Sequence, residues 1–261
     1  MNYILLIKLL LAHVLGDFVL QWKGLCDAKQ DLSKLKGWGA QMLHALIQAG
    51  FAYVLVMDWT NWIIPMVVFS SHLLIDILKS CFDDKDNVWH FIFDQIAHLV
   101  VICVLSYVFL NVTQQLPINF SYVIAILAFI LVTKPASIFI SKFYNQWNNN
   151  GDEVKADSDD AQADGGSAHT TSKDLASLPR GGEYIGVLER VLILTFIFVG
   201  YSEGIGFLLA AKSIFRFGDL QKSSELKLTE YVLIGTFLSF AIAIMVGYGA
   251  LKLVSIVKLN T

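Results

Sequence analysis

Three histidine–aspartate pairs recur in this chain at a spacing of four residues: His13 with Asp17, His72 with Asp76, and Asp94 with His98. That spacing places both members of each pair on one face of an α-helix. His44, flanked by Gln41 and Gln48, adds a fourth imidazole. Imidazole and carboxylate are nitrogen and oxygen ligands for divalent cations, and helix bundles build metal centres from inward side chains about one turn apart. Cys26, Cys81 and Cys103 are widely spaced and form no CxxC pair, which argues against a thiolate site and a disulfide framework. The donor set therefore suits Zn first, with Mn or Fe next, rather than Cu(I). The expected metal ligands come from His13, Asp17, His44, His72, Asp76, Asp94 and His98, with the others of that set orienting a ligand from behind. Whichever of Asp17, Asp76 and Asp94 is not a ligand is the candidate general base. The same residue types also serve as interhelical hydrogen-bonding glue or as a proton or ion pathway.

These residues sit in a chain built for lipid. Of its 261 residues, 56% are apolar before the 18 glycines are counted, and only 16% are charged. A soluble domain has roughly 45–50% apolar residues with glycine included, and about 25% charged. This composition excludes an ordinary soluble globule and a disordered chain. With a net charge of -3 it also excludes a nucleic-acid binder. An all-α, polytopic transmembrane helical bundle is expected, with about eight spans: 3–22, 38–57, 61–80, 88–110, 118–142, 184–202, 204–220 and 230–254. The seventh is short enough to be tilted or re-entrant. The first lacks a basic leader and carries His13 and Asp17, so it is read as a span and not as a cleaved signal peptide.

Loops rich in Lys face the cytoplasm. Lys23, Lys29, Lys34 and Lys36 mark the first loop, Lys79 and Lys85 the third, and Lys155, Lys173 and Arg180 the fifth, whereas loops two and four carry no basic residue. The N-terminus is thus expected outside. Lys222 and Lys227 fit an inside loop after span seven, while Lys252 and Lys258 fit an outside C-terminus poorly. Residues 145–181 are acidic and polar and are expected to form a disordered cytoplasmic linker, a tether that also offers a contact for a protein partner. The linker divides a five-span bundle (1–144) from a three-span region (182–261). Spans one and three run inward with His before Asp, and span four runs outward with Asp before His. The three Asp therefore share one depth, and their His partners lie about 6 Å deeper. His90 falls nearer the interface, at the rim. Outside this layer the spans read as almost purely apolar, as over Ile4 to Leu11, which counts against a conduction path.

The second half carries Glu189-Arg190 on span six and Lys212 with Arg216, four residues apart, on span seven. With Lys79 these offer a cationic wall for an anionic substrate such as a phosphorylated lipid headgroup. The alternative is that Lys212 and Arg216 snorkel to the interface and Glu189 pairs with a basic neighbour.

The segments Leu11-Ala12-His13-Val14-Leu15-Gly16-Asp17-Phe18-Val19-Leu20-Gln21, His44-Ala45, His72 through Lys79, and Asp94-Gln95 with His98 resemble a bacterial integral-membrane family, the domain of unknown function DUF3307. Gly182 to Arg190, Ala210 to Phe217 and Glu230 to Phe240 look like the extension of longer members. The resemblance implies a bacterial inner-membrane protein and brings no reaction with it. More distantly, the His/Asp pattern is similar to membrane-bound metal-dependent hydrolases, although their Pro-Asp step is missing here. The expected function is a metal-dependent hydrolase of a lipid-linked or other amphiphilic phosphoester, reached from the membrane lipid. The alternatives are a divalent-cation or proton transporter, and a non-catalytic anchor or sensor subunit.

Overall fold

A computed structural model describes residues 1–29, 34–82, 87–110, 119–150, 181–217 and 226–260. Among these, all regular structure is helical: α1 (Tyr3–Val14), α2 (Lys23–Lys29), α3 (Leu35–Val56), α4 (Ile63–Phe82), α5 (Val88–Val108), α6 (Phe120–Val132), α7 (Lys134–Asn150), α8 (Gly181–Val199), α9 (Glu203–Phe217) and α10 (Leu226–Asn260). Asparagines start three of them. The side chains of Asn2, Asn87 and Asn119 accept hydrogen bonds from the backbone N–H groups of Leu5, Trp89 and Ser121. These bonds satisfy donors that the first helical turn leaves open.

Five helical stretches are long and apolar enough to cross a membrane: Leu35–Val56, Ile63–Cys81, Val88–Val108, Phe120–Gln146 and Leu233–Leu259. A sixth is possible if the bent pair Tyr3–Val19 and Lys23–Lys29 counts as one span. The expected eight are thus not reached among the described residues. Helix α8 has the length but carries Glu183 and the Glu189–Arg190 pair, and the 15 residues of α9 fall short of the roughly 20 that cross the hydrocarbon.

The first span differs most from its expected form. It does not run on to residue 22. After α1, Leu15–Val19 forms a π-helical turn closed by Leu20 N–H donating to Leu15 C=O at 2.9 Å, and α2 then leaves at 93°. The span near 118–142 is also broken, at Thr133. Pro135 lacks the N–H that would continue the ladder, and its ring crowds the carbonyl one turn earlier. Helix α7 continues to Asn150, past the expected start of the linker, and α8 begins at Gly181. The rest of that linker, with Lys155, Lys173, Arg180 and His169, lies outside the described residues, as do Lys85, Lys222 and the side chains of Arg216 and Lys227.

Helix α1 packs against α3, α5 and α6. Leu5, Leu9 and Ala12 bury against Ala52, Val56, Ile64, Ile102 and Leu105, and Ile7 joins a second core with α6, α8 and α10. The outer surface is apolar. On α5, Phe93, Ile96, Val100 and Val104 are exposed, while Asp94, His98, Ile102 and Leu105 are buried. Apolar outside and polar inside is the distribution that lipid demands, since water would favour the reverse.

The segment Ile4 to Leu11 is not apolar throughout. Lys8 is 0% exposed, and its Nζ donates to Val56 C=O at 2.8 Å. Helix α3 ends there, with Met57 in the left-handed conformation (φ 61°), so Lys8 supplies charge and a donor to its open C-terminal carbonyls.

Candidate metal centre

Helices α1, α3, α4 and α5, together with the π turn, bring His13, Asp17, His44, His72, Asp76, Asp94 and His98 into one buried patch. The π turn is a tertiary product as much as a local one. Gly16 lies so close to α3 that a Cβ there would collide with the Gln48 amide. That amide donates to Asp17 Oδ1 and to His13 C=O (3.3 Å). The extra residue in the turn aims Asp17 at α3 and α4 and leaves His13 Nδ1 3.8 Å from Asp17 Oδ2.

Three ligand groupings emerge, each with donor atoms within 4.8 Å of one another: His13, His72 and His98; Asp17, His44 and His72; Asp76, Asp94 and His98. His72 and His98 each belong to two groupings, and their rings stack at 4.1 Å. In the second, His44 Nε2 donates to Asp17 Oδ1 at 3.1 Å, and His72 Nε2 lies 3.0 Å from His44 Nε2 and 3.4 Å from the same oxygen. In the third, His98 Nε2 lies 3.6 Å from Asp94 Oδ1 and 3.8 Å from Asp76 Oδ1. His98 Nε2 and Asp94 Oδ1 are buried without a hydrogen-bond partner. Buried polar atoms ordinarily find partners, so an orphaned nitrogen beside an orphaned carboxylate oxygen fits a shared cation. The donors are nitrogen and oxygen only, a set suited to Zn, Mn or Fe.

Two lysines pair with the carboxylates. Lys29 Nζ donates to Asp76 Oδ2, and Lys79 Nζ donates to Asp94 Oδ2 at 2.8 Å, an oxygen that also accepts from Gln95 Nε2 at 3.0 Å. Lys79 thus lies beside the patch, paired with Asp94. Arg190 and Lys212 have different partners. Arg190 donates to Val132 C=O, Ser137 Oγ and Ser239 Oγ, and Lys212 pairs with Glu189 at 2.5 Å. These contacts tie α6, α7, α8, α9 and α10 together. Among the described residues none joins Arg190 or Lys212 to the His/Asp patch, and the Glu189 pairing is the one the snorkelling alternative requires. His90 is half-buried on α5, one turn before Asp94, and belongs to none of the three groupings.

Sequence reasoning assigned Lys29 to a cytoplasmic loop and gave Gln48 no role beyond flanking His44. Lys29 is buried on α2, on the same face as Leu25 four residues before it, and that i, i+4 spacing was the available signal. Its backbone carbonyl accepts from Gln41 Nε2 at 3.2 Å, and Gln41 in turn donates to Ser80 Oγ at 2.8 Å. A cavity of about 20 Å³ adjoins the imidazoles, lined by His13, Gln48, His72, His98 and apolar residues such as Val68 and Ile102. That is space for about one water.

No curated protein and no solved structure matches the chain. The match to a family model covers residues 5–128, which takes in all seven residues of the patch with Lys29 and Lys79, and ends before α7. Residues 5–128 therefore belong to the family described as protein of unknown function DUF3307.

Proposed function

We propose that the patch is an intramembrane divalent-metal centre and that it hydrolyses a lipid-linked or other amphiphilic phosphoester. The observation that carries the metal reading is the convergence of Asp17 Oδ1, His44 Nε2 and His72 Nε2, beside the unpartnered His98 Nε2 and Asp94 Oδ1. Gln41 Oε1, His44 Nδ1 and His90 Nδ1 are unpartnered as well, but His98 Nε2 and Asp94 Oδ1 are complementary atoms of one ligand grouping, which interhelical glue would have joined. A bound cation polarises a phosphoryl oxygen and acidifies water. Of the chain's own groups, whichever of Asp17, Asp76 and Asp94 the cation leaves free takes the proton, while Lys79 reaches Asp94 from a third-exposed position. The hydrolase reading rests on this combination of metal ligands, spare carboxylate and adjacent cation. The proposal places the protein in a bacterial inner membrane, with the N-terminus outside and the acidic linker in the cytoplasm.

Elemental analysis of the purified full chain tests the metal reading. Bound Zn, Mn or Fe is expected in the wild type and is expected to fall sharply in His72→Ala and Asp94→Ala. Well-folded wild type without metal overturns it.

One observation favours a second reading, transport of a divalent cation or protons. Lys8 lies fully buried about a turn and a half before His13, so polar groups continue beyond the histidine layer. Metal-dependent flux into proteoliposomes, lost in His72→Ala, would establish it.

A further inference from the structure

Asp76 and Asp94 are built alike. Each turns Oδ1 toward His98 Nε2 and gives Oδ2 to a lysine, Lys29 for Asp76 and Lys79 for Asp94. On Asp94 the lysine thus sits across the carboxylate from His98, whereas on Asp76 it shares Oδ2 with His44 Nε2 at 3.7 Å and His72 Nε2 at 3.8 Å, so a cation held by those imidazoles competes with Lys29 for one oxygen. With neutral imidazoles, Asp17, Asp76 and Asp94 against these two ammonium groups leave one net negative charge. A divalent cation turns that into one net positive charge in a poorly solvated site, where an unbalanced charge is costly. The cation also takes over the carboxylates that hold the lysines. Released ammonium groups at the end of flexible stems need a new anion.

We propose that Lys29 and Lys79 are exchangeable counter-ions: a divalent cation displaces them from Asp76 and Asp94, and they then grip a phosphoryl anion that binds together with the metal. This rests on the metal reading above and names what accompanies the metal. Lys79 provides the approach, since its side chain is 34% exposed, and Lys29 provides the fixed point. Lys29 is anchored through the Gln41 bond to its carbonyl and, with the Gln21 amide turned to suit its neighbours, through Gln21, which accepts from Lys29 Nζ at 3.2 Å and donates to Asp17 C=O at 2.9 Å. One phosphoryl chemistry has two sources here, a free phosphate and a lipid headgroup.

The test is Zn²⁺ affinity of the full chain in phosphatidylcholine nanodiscs, with free Zn²⁺ set by a competing chelator. Affinity is measured with no added anion, with inorganic phosphate, and with phosphatidic acid in the bilayer. The expected result is an affinity gain of about tenfold with a phosphoryl anion, typical of coupling between two bound ligands. A gain with inorganic phosphate identifies a free anion, and a gain with phosphatidic acid alone identifies a headgroup. Lys29→Met and Lys79→Met should bind Zn²⁺ at least as tightly as wild type without anion, because a competing cation is gone, and should lose the gain. Lys79→Arg, which keeps the charge, should retain it and serves as the folding control. Zn²⁺ binding that is indifferent to both anions, or a gain that persists in both Met variants, overturns this inference and leaves the metal centre standing. Wild type that binds none of Zn²⁺, Mn²⁺ and Fe²⁺ in this assay overturns both.

Discussion

His98 Nε2 and Asp94 Oδ1 face one another across 3.6 Å, one turn apart on α5, and neither has a hydrogen-bond partner. A packed helix rarely leaves two complementary polar atoms facing each other unbonded, since each costs about 1–3 kcal/mol when desolvated. A cation shared between them would account for the spacing.

That relationship ranks the histidines. His72 and His98 each serve two ligand groupings, His13 and His44 one each, and His90 none. Metal content by elemental analysis is expected to fall furthest in His72→Ala and His98→Ala, less in His13→Ala and His44→Ala, and not at all in His90→Ala. Equal loss in His90→Ala would mean that the metal sits elsewhere.

Gly16 is the residue on which the π turn depends. Alanine there would force the Gln48 amide away from Asp17 and His13. Overpacking of this kind costs typically 1–3 kcal/mol. Gly16→Ala should lower the thermal midpoint in detergent and weaken metal binding together, because the displaced group is the one that holds Asp17. An unchanged midpoint with unchanged metal affinity would show that the turn does not depend on this contact.

How much was legible beforehand follows from the kind of interaction involved. The i, i+4 pairs lie within single helices, so His72 with Asp76 and Asp94 with His98 are read from spacing alone, and the apolar composition dictates lipid around them. The break in span one is not local. It arises where Gln48, 32 residues on, closes over Gly16, and no periodicity in residues 3–22 carries that information. Lys29 was hidden for a related reason. A lysine just after an apolar span reads as a positive-inside marker, and only the turn of α2 back onto α3 and α4 makes it a counter-ion. Apolar composition alone does not separate a span from a helix such as α8, which carries the Glu189–Arg190 pair, or α9, which has 15 residues, so the described helices support five or six spans and leave the expected eight unconfirmed.

Lys8 is expected to contribute to stability and not to the metal centre. Its ammonium group caps α3 through Val56 C=O, and Lys8→Met keeps most of the stem volume while removing the donor. The loss leaves a buried carbonyl short of a partner, worth about 1–3 kcal/mol. The variant should melt at a lower temperature with its metal content intact. Metal loss equal to that of His98→Ala would link Lys8 to the site and strengthen the transport reading.

Arg190 compensates the break in α6 that precedes Pro135. With α6 interrupted at Thr133, Val132 C=O accepts from Arg190 Nε at 2.5 Å, while the two terminal nitrogens donate to Ser239 on α10 and Ser137 on α7. Only a planar fork addresses three helices at once, and a lysine ammonium cannot reproduce it. Arg190 is 3% exposed, so its removal leaves the Val132 carbonyl and the two serine hydroxyls without their buried donor. Arg190→Lys and Arg190→Met should therefore destabilise the chain alike, by about 2–4 kcal/mol, as broken buried networks do. Metal binding by the protein that remains folded should persist, since α1, α3, α4 and α5 carry the ligands. Thermal unfolding with parallel elemental analysis reads both quantities. Full stability in Arg190→Lys, or metal loss without destabilisation, would show that Arg190 acts at the site instead of in the scaffold.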